Sequence, residues 1–225
     1  MTTHMLSRRG DRVRAALPVL DGVALERARV HEICGPARRT LAALAVRAAV
    51  EEGAAGAKAA EVMWIRPAWM AERPYPPGLA ELVAPAGQMP GRLAPGRLIQ
   101  VAPRRAEDLL WTAEEALRSG LLALVVVDLF GPPGLVAVRR MHLAAETGAA
   151  EGRQAPVGLL LTPGDGGAPG VESRWHMAPR HGREASAWQI ERRRARVAPP
   201  KAWRVELGPD GAPRAGKSAE EHAAP

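Results

Sequence analysis

The sequence predicts an α/β fold with a central, mainly parallel sheet, helices on its faces and antiparallel strands at its C-terminal end. Short apolar runs alternate with longer helical patterns along most of the chain, and this alternation is typical of strand–helix–strand units, whose strands pair in parallel. From about residue 174 the runs become short and half-polar, which favours antiparallel strands with one solvated face. With 225 residues, 47% hydrophobic and 24% charged, the chain has the composition of a globular domain.

Three segments are expected along the chain. Apolar residues at positions 13, 16, 17 and 20 recur at helical spacing, so residues 1–25 are predicted to be an N-terminal segment that is flexible or a loosely held helix. The folded domain then spans residues 26–207. Residues 208–225 are polar and rich in Gly, Ala and Glu, and we expect a disordered tail there.

Five apolar runs are predicted as the parallel strands. They lie at 30–34, 62–65, 98–101, 122–128 and 157–161. The run 122–128 is apolar almost throughout, and a strand covered by helices on both faces has this character, so we place it centrally. Helices are expected at 40–50, 78–83, 107–119 and 134–147, in part because Gly residues follow three of them closely.

The junction between the first parallel strand and its helix has the layout of a phosphate-binding loop but not its chemistry. A working loop reads G-x-x-x-x-G-K-[ST], in which backbone N–H groups cradle the phosphates, the Lys reaches the outer ones and the hydroxyl holds Mg²⁺. Here residues 35–40 read Gly-Pro-Ala-Arg-Arg-Thr, so the second Gly and the Lys are absent. We therefore expect no ATP hydrolysis and no cofactor, and an assembly or adaptor role instead. The degenerate loop comprises Gly35, Pro36, Arg38, Arg39 and Thr40, together with Asp128 at the end of the central strand.

Two alternatives stay open for the charged members of this loop. Arg38 and Arg39 precede a helix, and a helix N-terminus binds anions, so they either replace the lost Lys on a phosphate or are simply solvated. Asp128 stands where a carboxylate could hold Mg²⁺ through water. With no phosphate cradle beside it, a structural role for Asp128 is the expectation.

Basic residues are concentrated near the C-terminal end. The chain has 31 Lys and Arg against 24 Asp and Glu, a formal net charge of +7, and residues 174–204 alone contain nine cations against two Glu. On an extended strand Arg192, Arg194 and Arg196 would share one face at a spacing of about 6.6–6.8 Å, similar to that of phosphates on one nucleic-acid strand. The alternative is an exposed edge strand whose charge prevents aggregation. The candidate nucleic-acid contacts are Arg174, Arg192, Arg193, Arg194, Arg196 and Lys201.

Aromatic residues, histidines and the single cysteine complete the list of reactive or ligand-binding candidates. Trp175, Trp188 and Trp203 lie in the basic stretch and could stack on bases, although burial in the core is the expected fate. The histidines have no second ligand at metal-binding spacing, so no metal site is predicted. Cys34 lies in an apolar strand, where a buried small hydrophobe is expected rather than a reactive thiol.

One cysteine fits a reducing compartment. No apolar run reaches the roughly 18 residues that a membrane helix needs, so the protein is expected in the cytoplasm, without membrane contact.

Two groups of charged residues on predicted helices, five residues in all, are interface candidates. Glu114 and Glu115 precede Arg118 at i,i+4 and i,i+3, a spacing that favours ion pairs on the helix surface. A contact with another subunit is the alternative, and the same ambiguity holds for Arg139 and Arg140.

Taken in order, these elements resemble the core of RecA, the recombination ATPase. The degenerate loop occupies the place of the Walker A motif, and Val-Val-Val-Asp at 125–128 resembles the Walker B strand. The stretch 196–207, Arg-Val-Ala-Pro-Pro-Lys-Ala-Trp-Arg-Val-Glu-Leu, is similar to a late RecA segment. RecA's two DNA-binding loops correspond to 129–134 and 162–171, which are much shorter here, so the resemblance does not imply RecA-style filaments on DNA.

A closer resemblance is to the ImuA family of RecA-like accessory proteins in bacterial SOS mutagenesis, and it covers about residues 28–207. Its most specific blocks are Trp-Thr-Ala-Glu-Glu-Ala-Leu-Arg-Ser-Gly at 111–120 and Arg-Arg-Met-His-Leu-Ala-Ala-Glu at 139–146. Ser-Arg-Trp-His at 173–176, Pro-Gly-Arg at 90–92 and Gly-Arg-Leu-Ile at 96–99 also match.

The resemblance implies an adaptor in SOS-induced translesion DNA synthesis, located at the nucleoid. Its implied partners are an inactive Y-family polymerase homologue and an error-prone replicative-type polymerase, with single-stranded DNA and self-association as further expectations. A weak or altered nucleotide-binding NTPase is the first alternative. An SOS-linked regulator of cell division is the second.

Overall fold

A computed structural model describes residues 15–55, 60–83, 98–183, 186–209 and 211–217. Within these ranges the chain forms an α/β fold built on a nine-stranded sheet and a separate two-stranded hairpin. The elements in chain order are β1 (Ala16–Leu20), β2 (Val23–Glu26), β3 (Arg29–Cys34), α1 (Arg38–Ala55), β4 (Val62–Ile65), α2 (Pro76–Val83), β5 (Leu98–Val101), α3 (Ala106–Arg118), β6 (Leu124–Asp128), α4 (Leu135–Glu151), β7 (Val157–Leu161), β8 (Ser173–Pro179), β9 (Ala187–Ala195), β10 (Lys201–Leu207) and β11 (Pro213–Lys217).

The large sheet has the strand order β11-β10-β9-β8-β3-β7-β6-β4-β5. All five predicted parallel strands are confirmed, and β6 lies inside the sheet between β7 and β4. Strand β8 pairs parallel to β3 and antiparallel to β9. The change to antiparallel pairing therefore falls one strand later than the sequence predicts. This arrangement is consistent with a RecA-like core.

Apolar side chains fill both faces of the sheet. On one face α1, the hairpin β1–β2 and the inward residues of the antiparallel strands form one core cluster. On the other face α3 and α4 pack side by side over β6 and β7. The predicted helices are confirmed, each with bounds shifted by a few residues. The parallel strands end in loops at their shared carboxyl end, which is where open α/β sheets bind ligands.

The N-terminal helix predicted within residues 1–25 is wrong for the described part. Residues 16–26 form the antiparallel hairpin β1–β2, in which Leu17 and Leu25 face each other and are buried. The turn contains Gly22 at φ 76°, a backbone conformation that favours glycine. The Asp-Gly pair between two apolar runs is itself a hairpin signal, and it prevails over the helical spacing. Residues 1–14 lie outside the described residues.

The disordered tail predicted for 208–225 is wrong over 213–217. Those residues form β11, which pairs antiparallel with β10 and places Ala215 opposite Val205. An exposed strand edge offers unpaired N–H and C=O groups, and a polar segment can satisfy them without burying much apolar surface. Residues 218–225 lie outside the described residues.

In the part of the chain that the structure describes, none of the helices has both the length and the apolar character needed to span a membrane.

Candidate functional site

The loop after β3 is closed by hydrogen bonds to the protein itself. The N–H of Gly35 donates to the carbonyl of Gly164 at 2.9 Å, and the N–H of Ala37 donates to the carbonyl of Met177 at 3.0 Å. Gly35 has φ 91°, and a Cβ there would lie 2.5 Å from the Met177 carbonyl oxygen. A phosphate-binding loop needs its N–H groups free to face the phosphates. Here protein carbonyls occupy these two donors.

Arg39 and Asp128 form the central ion pair of the site. The carboxylate of Asp128 is fully buried and accepts hydrogen bonds from Arg39 Nε at 3.2 Å to Oδ1 and 3.0 Å to Oδ2. The indole N–H of Trp64 donates to Oδ2 at 3.3 Å. A buried carboxylate needs such partners to stay charged. The expected structural role of Asp128 agrees with this arrangement, because its oxygens are taken up by side chains of the protein.

The rest of the Arg39 guanidinium is also bound. Its Nη1 donates to Glu72 Oε2 at 2.6 Å, and its Nη2 contacts the sulfur of Met70 at 3.2 Å. The hydrogen bond from Arg39 lowers the pKa of Glu72 below its ordinary value. Arg39 therefore bridges two carboxylates instead of presenting its charge to an anion in solution.

Arg38 and Thr40 take up the remaining positions at the start of α1. Arg38 Nη1 donates to the Gly35 carbonyl at 3.4 Å, and its Nη2 lies 4.0 Å from Glu72. The N–H of Thr40 donates to the carbonyl of Ala37 at 3.0 Å. Pro36, between them and Gly35, is exposed. Both arginines therefore bind groups of the protein itself. This differs from both predictions for them, which were contact with a phosphate and free solvation.

The sequence does not predict a second buried ion pair, which Glu32 and Arg174 form. Glu32 lies in β3, is fully buried and accepts a hydrogen bond from Arg174. Thr162 donates to it at 2.7 Å and the N–H of Gly167 at 2.9 Å. The signal was a charged residue inside an apolar strand, because a buried charge requires partners. The glycine-rich loop after β7 supplies them.

The glycine-rich loop approaches the Glu32 carboxylate very closely. Gly166 has φ 73°, and a Cβ at that position would lie 2.7 Å from Glu32 Oε1. The loop therefore encloses an internal carboxylate.

Most of the basic cluster near the C-terminus is engaged within the protein. Arg174 binds Glu32 as described, and Arg193 binds Asp165 at 2.7 Å and Glu191 at 3.0 Å. Arg196 lies 3.4 Å from Glu172.

Two members of the cluster are held by aromatic rings. Arg192 lies over the rings of Trp175 and Trp203, with centroid distances of 5.7 and 5.3 Å. Lys201 lies over Trp203 at 5.5 Å. Such cation–π contacts stabilise the cation where it is. Arg194 is exposed and has no ion pair among the described residues.

The prediction that Arg192, Arg194 and Arg196 share one face is wrong. The register between β8 and β9 shifts, so that Arg192 lies opposite Trp175 and Arg194 opposite Arg174. Neighbouring residues of β8 point to opposite faces, and the bulge therefore separates the two arginines. Arg196 follows the end of β9.

The three tryptophans of this region are buried in the core, as expected. Trp175, Trp188 and Trp203 all belong to the core cluster on the α1 side of the sheet. They are therefore not available to stack on bases.

The interface candidates are divided between internal and exposed positions. Glu114 is buried and accepts a hydrogen bond from Arg140 at 2.7 Å, which joins α3 to α4. The predicted pair between Glu114 and Arg118 is therefore wrong, whereas the pair between Glu115 and Arg118 is confirmed. Arg139 is exposed and forms no ion pair within the described ranges.

Two buried groups have strongly shifted pKa values. Burial lowers the pKa of His31 to about 4, and its ring nitrogens contact Ser173 Oγ at 2.7 Å and the Glu26 carbonyl at 2.9 Å. Burial, followed by the nearby charge of Glu32, raises the pKa of the Cys34 thiol to about 11. Both groups are neutral near pH 7. No group of three His, Cys, Asp or Glu side chains in the described residues could hold a metal ion.

No protein-family model matches this sequence, and no curated protein matches it. The described residues form a mainly parallel α/β fold that is consistent with a RecA-like core, with an internal Arg–Asp pair between the start of α1 and the end of β6.

Proposed function

We propose that this protein is a non-catalytic, RecA-like adaptor in SOS-induced translesion DNA synthesis, similar to the ImuA family. It would bridge an inactive Y-family polymerase homologue, an error-prone replicative-type polymerase and DNA, in the cytoplasm at the nucleoid. The observation that carries the proposal is the Arg39–Asp128 pair. In that contact the guanidinium of Arg39, which is always charged, lies directly on the Asp128 carboxylate.

Three features support the absence of ATP turnover. The sequence lacks the phosphate-binding Gly-Lys pair. The N–H groups of Gly35 and Ala37 already donate to protein carbonyls, and Asp128 already has its donors. Nucleotide and Mg²⁺ would have to displace all of these contacts without a Lys to compensate, and each lost buried contact costs free energy.

The adaptor part is supported by the outer side of helices α3 and α4. Trp111 on α3 is 58% exposed and Leu143 on α4 is 62% exposed, and Arg139 on α4 is exposed as well. We call Trp111, Arg139 and Leu143 the outer helical face. Exposed Trp and Arg residues are typical of protein interfaces, and these three lie in the two blocks that carry the family resemblance.

The test is co-purification. The protein is co-expressed with a tagged Y-family polymerase homologue from the same genome, and the complex is measured by size-exclusion chromatography. We expect a complex that the double variant Trp111→Ala/Leu143→Ala weakens at least tenfold, because buried apolar anchors dominate interface energies. Val197→Ala, at an exposed apolar residue outside the helices, is the matched control. Absence of any complex would contradict the adaptor proposal.

ATPase measurements test the catalytic alternative. Purified protein, with and without single-stranded DNA, is expected to hydrolyse no ATP above the buffer control. A DNA-stimulated turnover near ~1 s⁻¹, the low end of ordinary enzyme turnover, would contradict the proposal and favour an altered NTPase.

A further inference from the structure

Two exposed aromatic rings lie together at the carboxyl edge of the sheet. Trp69 is 48% exposed and Phe130 is 59% exposed, and their rings stack with centroids 6.4 Å apart and an interplanar angle of 20°. They follow β4 and β6, which are neighbouring strands. Large aromatic rings contribute most to the free energy of folding or binding when other groups bury them. An exposed stacked pair therefore marks a contact surface.

The backbone beside both rings is fixed. The N–H of Ala68 donates to the carbonyl of Pro103 at 2.9 Å, and the N–H of Met70 donates to the carbonyl of Pro67 at 3.1 Å. Next to Phe130, the N–H of Leu129 donates to the carbonyl of Leu161 at 2.9 Å. A ring on a fixed backbone loses little conformational freedom when a ligand covers it.

Exposed arginines lie in the segment that bears Trp69 and in the segment that contacts its turn. The Ala68–Pro103 hydrogen bond places the turn that bears Trp69 beside Arg104 and Arg105. Both arginines are exposed, as is Arg73, and none of the three forms an ion pair or side-chain hydrogen bond in the described part of the chain.

The carboxylates at this edge leave the arginines available. Asp128 and Glu72 are bound by Arg39. Glu107 and Asp108 lie in the first turn of α3, where negative charge complements the helix N-terminus.

We propose that Trp69 and Phe130 form a base-stacking site for single-stranded nucleic acid, with Arg73, Arg104 and Arg105 as phosphate contacts. Aromatic faces beside unpaired cations bind single strands with little sequence preference. The proposal rests on the adaptor function above and assigns its nucleic-acid contact. It places that contact away from the 174–204 stretch, whose cations are mostly bound internally.

Binding is measured by the fluorescence anisotropy of a labelled oligothymidylate, longer than the roughly 4–16 nucleotides of a typical single-strand site, over a series of salt concentrations. Trp69→Ala and Phe130→Ala are each expected to weaken binding about 5- to 100-fold, because each removes one stacking face. Trp69→Phe keeps a ring and should retain most of the affinity. Arg104→Ala/Arg105→Ala should reduce the slope of log K against log salt by up to about 1.4, at about 0.7 per contact on a single strand.

Leu121→Ala is the control, because it removes an exposed large apolar side chain that precedes β6, at the opposite end of that strand from Phe130, and should leave binding unchanged. Thermal unfolding confirms that each exposed substitution leaves the fold intact. Wild-type affinity in both Trp69→Ala and Phe130→Ala overturns the proposal.

Absence of oligonucleotide binding by the wild type also overturns the proposal, whereas the adaptor function is tested separately by the complex with the polymerase homologue. If Trp69→Ala abolishes that complex but leaves oligonucleotide binding intact, the pair is a protein interface and the proposal is wrong.

Discussion

Arg39 Nε donates to both carboxylate oxygens of Asp128, at 3.2 and 3.0 Å, across 89 positions of sequence. The pair joins the start of α1 to the end of β6. The guanidinium of Arg39 thus neutralises the buried Asp128 carboxylate. The stability of the fold is therefore expected to depend on this contact.

Arg39→Ala is expected to destabilise the protein by about 3 kcal/mol, because it leaves the buried Asp128 carboxylate without its cation. The value lies at the low end for a broken buried pair, since the Arg39 side chain is 23% exposed to water. The measurement is urea unfolding at pH 7. Arg39→Ala/Asp128→Asn should recover much of the loss, because the uncompensated charge is gone. A single-variant loss below about 1 kcal/mol would mean that water replaces the guanidinium.

Arg140→Ala is expected to cost about 1–2 kcal/mol, because it leaves the buried carboxylate of Glu114 unsatisfied between α3 and α4. The matched control is Arg118→Ala, which removes an exposed i,i+3 pair with Glu115 and should change stability by less than about 0.5 kcal/mol. Both are compared by urea unfolding. Equal effects of the two substitutions would contradict an internal role for Arg140.

Stability is expected to fall between about pH 6.5 and pH 4 because of His31. The unfolded chain binds a proton at the ordinary pKa of 6.5, whereas burial lowers the pKa in the folded protein to about 4. The unfolded state therefore binds more protons in this window, and the free energy of unfolding decreases as the pH falls. The full loss is about 3 kcal/mol. His31→Gln should flatten this part of the profile of unfolding free energy against pH, and an unchanged slope would contradict the assignment.

Cys34 is expected to be unreactive in the folded protein. The thiol is buried, and its pKa is raised to about 11, so little thiolate is present at pH 7–8. A chromogenic disulfide reagent should react with the single cysteine only on the timescale of unfolding, and at full rate in denaturant. Rapid reaction under native conditions would show that β3 opens locally.

The strands and helices show how much of the fold the local sequence pattern determines. The run 122–128 is apolar enough to require cover on both faces, and the structure places its strand inside the sheet. The hairpin β1–β2 was missed because its apolar residues also fit a helical period. The Asp-Gly pair also predicts a hairpin, and the hairpin forms because Leu17 and Leu25 lie opposite each other across the turn.

The sequence by itself determined the order of the strands and helices from β3 to β7, the absence of a Gly-Lys pair in the loop after β3, and the burial of Cys34 and the three C-terminal tryptophans. Only the tertiary structure decided which charges are free. Arg39 meets Asp128 and Arg174 meets Glu32 over separations of 89 and 142 residues, and no local period encodes such pairs. The physical reason is burial: a carboxylate enclosed by the sheet must be neutralised by whichever cation the fold brings near. Several arginines that the sequence predicts to form a nucleic-acid surface therefore bind groups of the protein itself.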